Sequence, residues 1–158
     1  MNKLKKLLLA IVLVALLAAP VWAVGTVTIT SSNVTVQGNV WRKVITLSWV
    51  ADAATATVPS TTITAVTYGI GGWYLYTAET NPGSTAPTDD YDITLNDADG
   101  LDVAGGLLAN RDAAATEIVN VGASAHGYPA IRGDLTFVLS DNVVNSATGT
   151  LILIFVAN

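Results

Sequence analysis

From Val24 onward the chain is a succession of short segments in which apolar and polar residues alternate with a period of two, the spacing of half-buried β-strands. Val24–Thr30 sets Thr26, Thr28 and Thr30 against Val27 and Ile29. In Val40–Val50, Trp41, Lys43, Ile45, Leu47 and Trp49 share one face, which is the better core candidate. Thr61–Tyr68 and Gly72–Thr77 read as two further strands, and Tyr91–Leu95 with Leu101–Ala104 as a hairpin closed by the turn Asn96–Gly100. Ala130–Ser140 alternates again. Gly149–Val156 is apolar on both faces, which predicts a strand in the middle of a sheet or covered on both sides.

Threonine and valine dominate the composition, with glycine and alanine close behind, which suits pleated surfaces and disfavours long helices. Glu79–Thr88, with two prolines and a Pro-Gly pair, reads as a loop, and Gly105–Glu117 as an irregular segment with at most a turn or two of helix. About eight short strands separated by turn signals predict an all-β fold: one antiparallel β-sandwich or jelly-roll-like domain over residues 24–158.

The first 23 residues have the layout of a secretory signal peptide. Lys3, Lys5 and Lys6 precede an apolar run from Leu7 to Ala19, and Val21 and Ala23 fit the −3 and −1 positions, placing cleavage after Ala23. Pro20 and the small residue at the boundary favour removal over a retained anchor, so an exported protein is expected, periplasmic, extracellular or on the cell surface, without a membrane segment once cleaved. Removing 23 of 158 residues leaves 135, takes three of seven basic residues and spares all 12 acidic ones, so the formal charge moves from −5 to −8. A surface this acidic repels phosphate backbones, which argues against a nucleic-acid partner. The absence of cysteine removes disulfides, thiol nucleophiles and thiolate metal sites.

No catalytic constellation stands out. His126 is the single histidine; Ser124 lies near it but has only alanine neighbours and no nucleophile elbow, so a loop histidine is the expectation. The two glutamates, Glu79 and Glu117, sit in no glycosidase pattern. Among metals, carboxylates alone suit a hard cation. Asp97, Asp99 and Asp102 are the candidate calcium ligands, although the EF-hand register fails at Leu95 and Gly106 and tight turns select the same residues. Trp73, Tyr74 and Tyr76 are the candidate binding residues, able to stack on a glycan if exposed.

The stretch Asn81–Val103 (NPGSTAPTDDYDITLNDADGLDV) resembles a pattern in small bacteriophage and prophage virion proteins. So do Gly105-Gly106 through Asn110-Arg111, Thr116-Glu117, and the tail Gly133-Asp134-Leu135-Thr136 with Gly149-Thr150. The similarity spans roughly Trp41 to Val156 and implies a non-enzymatic, oligomerising component of a particle, such as a head-decoration or tail-associated protein. The leader departs from that pattern and fits a relative displayed on the cell surface. The alternative expectation is a secreted glycan-binding module with calcium as an aid.

Overall fold

The computed structural model describes residues 23–36, 38–123 and 127–157. The leader, apart from Ala23, and the Ser124/His126 pair lie outside the described residues.

Eight antiparallel strands form two sheets that share one hydrophobic core. They are β1 (Thr26–Val36), β2 (Asn39–Val50), β3 (Thr61–Ile63), β4 (Tyr74–Pro82), β5 (Asp92–Asn96), β6 (Glu117–Asn120), β7 (Leu135–Ser140) and β8 (Thr148–Val156). The larger sheet runs β1-β2-β8-β4-β6 and the smaller β3-β7-β5, a sandwich-like all-β arrangement.

Alternation sets the core. On β2, Ile45, Leu47 and Trp49 are buried, and so are Leu151, Leu153 and Phe155 on β8. Across the core, Ile93 and Leu95 of β5 and Leu135 and Phe137 of β7 close the interior. Each such side chain contributes about 1.5–3 kcal/mol through burial. β8, apolar on both faces, is the middle strand of the larger sheet. Trp41 does not follow its face-mates inward. The β1–β2 register slips between Val34 and Thr35, which leaves Trp41 as the extra residue of a bulge near the hairpin end, and it is 60% exposed.

Several expected boundaries move. Only Thr61–Ile63 of the third segment is strand; Ala65–Tyr68 forms one helical turn, α1. A distant carboxylate accounts for it: Asp134 Oδ1 accepts the Ala65 N–H at 2.7 Å, and Gly69 closes the turn with a left-handed φ of 62°. β4 continues through Glu79–Pro82, a stretch that reads locally as loop. β8 pairs with it as far as Pro82, whereas the β6 ladder ends at Thr80, so the missing proline N–H falls where only one neighbour remains.

The return strand at Leu101–Ala104 is a turn with one isolated bridge, Asn96–Asp102. The stretch after it is irregular as expected until β6 emerges at Glu117, a strand that four residues with two apolar members did not announce.

Candidate functional site

The outer face of the larger sheet carries an apolar row. Because the inward residues of β8 are odd-numbered, Ile152, Ile154 and Val156 point outward, half-buried, and Val44 pairs with Ile154 on the same side. Ile118 of β6, opposite Glu79, is 68% exposed. All eight strands belong to the two sheets, so among the described residues no strand is left to cover this face.

At one end the row runs into a cluster of tyrosines. The β4–β8 register slips between Leu75 and Thr77, making Tyr76 the extra residue of a bulge. A bulge re-aims the side chain it carries. Here Tyr74 and Tyr76 come to line one shallow groove with Tyr128, Val156 and Ala157. The Tyr76 and Tyr128 rings stack at 5.3 Å with a 20° interplanar angle, and both stay open to solvent.

Tyr128 comes from a loop, and the backbone fixes it. Pro129 O accepts the Leu75 N–H at 3.3 Å, while Ile131 donates to Trp73 O at 2.8 Å and accepts from Gly72 at 2.7 Å. Gly122 lies directly against the Tyr128 ring, where any Cβ would collide with it. Tyr128 also walls a second groove, of about 370 Å³, which holds Asp97 and Arg132.

Of the expected binding residues, the structure brings Tyr74 and Tyr76 together and sets Trp73 apart. Trp73 is half-buried against the core, with Lys43 Nζ 4.8 Å from its ring centroid. Tyr128 was missed, since a lone tyrosine 52 positions after Tyr76 gives no local signal.

Two of the three aspartates, Asp97 and Asp102, are engaged as turn builders. Asp97 Oδ1 accepts the N–H groups of Asp99 and Leu101 at 3.0 and 2.9 Å. Asp102 Oδ1 accepts from Leu95 and Ala104, and its Oδ2 from Gly106 at 2.7 Å. Among the described residues, no group of three or more His, Cys, Asp or Glu is placed to hold a metal ion.

Among the described residues, Asp52, Asp112 and Tyr91 titrate away from their ordinary values, and none of them lines either groove. Two backbone N–H donors each hold Asp52 (Ala54, Thr55) and Asp112 (Ala114, Ala115) low, while burial pushes the Tyr91 phenol up. The tyrosine groove offers flat aromatic surface and phenolic hydroxyls, without a carboxylate or cation among its lining residues. That suits contact with an apolar or aromatic surface better than proton transfer.

Comparison with known proteins finds no matching family model, no matching curated protein and no matching solved structure.

Proposed function

We propose that this chain is a non-enzymatic structural or assembly protein, exported or surface-displayed, of the kind its resemblance to virion head-decoration and tail-associated components implies. The observation that carries this reading is the apolar row Val44, Ile152, Ile154 and Val156, continuous at Val156 with the tyrosine groove. The row is half-buried along β8 and opens at its end onto the solvent-exposed Tyr76 and Tyr128, and apolar surface of this kind with aromatic residues beside it is what protein interfaces use.

Sedimentation velocity over a rising concentration series tests the reading, using the chain as the cell processes it. Concentration-dependent association is expected, and a protein that stays monomeric at the highest concentration and binds no particle overturns it.

A second reading, glycan recognition, is favoured by one observation, the solvent-open Tyr76–Tyr128 stack beside Tyr74. Sugar sites add directional polar side chains to their aromatic platforms. This groove has only phenols, which is why assembly ranks first. A glycan array bound by the protein and lost on Tyr76→Ala reverses the ranking.

A further inference from the structure

Each of the two sheets has two edges, and three of the four edge strands are blunted. β6 has four residues and carries Glu117, ion-paired with Arg111 at 3.4 Å. β3 has three residues. The free side of β5 is covered by the segment after it: Ile93 N–H donates to Leu108 O, Val103 N–H to Leu95 O, and Arg111 N–H to Tyr91 O, at 2.8–2.9 Å. These are the devices by which proteins keep sheet edges from pairing.

Among the described residues, β1 has none of them. It runs for eleven residues, Thr26–Val36, with no charge and no proline, and β2 is its only partner strand among the described residues. Its one irregularity falls late, at Val34/Thr35. The first acidic residue is Asp52, so an acidic protein presents a neutral edge. The outward side chains Thr26, Thr28, Thr30 and Ser32 are exposed and form a row of hydroxyls.

We infer that β1 is the docking edge for β1 of a second copy, the two strands pairing antiparallel about a twofold axis into one continuous sheet. Self-pairing fits the chemistry. Hydroxyl rows opposite one another make favourable cross-strand pairs, and no like charges are brought face to face although the chain as a whole repels its copies. A twofold contact of this kind uses the same patch on both copies and closes, leaving the outer apolar face free for the larger assembly. The inference rests on the assembly reading and names its first contact.

Two triple variants test it: Thr28→Lys, Thr30→Lys and Ser32→Lys in one chain, and the same three positions to Asp in another. All three sites are exposed, so a native circular-dichroism melt is expected from both, and the single pair Thr30→Lys and Thr30→Asp serves if a triple variant fails to fold. Each variant alone should dissociate at least about tenfold more readily, because like charges then oppose across the new ladder. An equimolar mixture of the two should associate as tightly as the unaltered chain, or more tightly.

If the unaltered chain is monomeric, the assembly reading falls and this inference with it. Undiminished association of both variants overturns the β1 contact and leaves assembly standing. If both variants weaken but their mixture does not recover, β1 meets something other than its own copy, and the inference is again overturned.

Discussion

Gly149 faces Trp49 across the β2–β8 ladder and Pro82 across β8–β4. A Cβ on Gly149 would press into Trp49 at Cζ2, with Cε2 at 2.8 Å and Nε1 at 3.1 Å. Carbon atoms rest at about 3.5–4.0 Å, so the indole would have to move by more than about half an ångström. It has little room. Trp49 is buried and its ring is tilted against that of Tyr91, also buried, at 6.0 Å between centroids.

Two effects of Gly149→Ala then oppose each other. Gly149 is not among the positive-φ glycines, so alanine meets no backbone strain there and gains about 0.5–1 kcal/mol from a less flexible unfolded chain. Overpacking a closed core costs about 1–3 kcal/mol, and a rigid ring system belongs at the upper end. The collision wins, by about 2 kcal/mol net. At about 4 °C per kcal/mol for a chain of this size, thermal unfolding followed by circular dichroism should show a fall of about 8 °C.

The cause is separable in a double-mutant cycle with Trp49→Phe, whose smaller ring leaves space for the methyl. In that background Gly149→Ala should be neutral or stabilising. An unchanged or higher melting temperature for the single variant, or an equal loss in both backgrounds, refutes the argument.

Asp102→Ala removes the acceptor of three backbone N–H groups, one of them on β5, and should cost about 2–3 kcal/mol in urea unfolding. Asp102→Asn, which keeps Oδ1, should lose less, and equal losses would sink the assignment. Acid should destabilise through Asp52 and Asp112. Their folded pKa values are depressed, so the stability they add is present above the ordinary carboxylate range and is lost as the pH falls through their folded values. The melting temperature should therefore fall below about pH 4, and less steeply in the Asp52→Asn/Asp112→Asn variant; an identical acid limb in both proteins contradicts this. Calcium at millimolar concentration should leave the melting temperature unchanged, because backbone donors already occupy Asp97 and Asp102, and a rise of several degrees would show that the loop rearranges into a site.

What could be read in advance tracks how local its cause is. The inward face of β2 from Ile45, the central place of β8 and the Asn96–Gly100 turn, with Gly100 at φ 83°, all follow from residues within a few positions of one another. The errors have distant causes. α1 turns on a carboxylate 69 positions away, and β4 runs on through Pro82 because β8 supplies a ladder there. Tyr128 joins Tyr76 because the β4 bulge and the 129–131 segment converge.

The same distinction bears on function. The threonines of β1 were visible as alternation and the isoleucines of β8 as a second apolar face, but such patterns say only that a strand has two faces. Whether a face or an edge is open depends on what the rest of the chain leaves over. Here a five-stranded sheet is matched by a three-stranded one, and the segment following β5 returns to cover the edge of the smaller sheet. Nothing among the described residues performs that service for β1. A long, neutral edge beside an uncovered apolar face would be a hazard for a protein meant to stay single. The chain applies charge, shortness and cover at its other three edges, so the exception at β1 is better explained by use than by neglect.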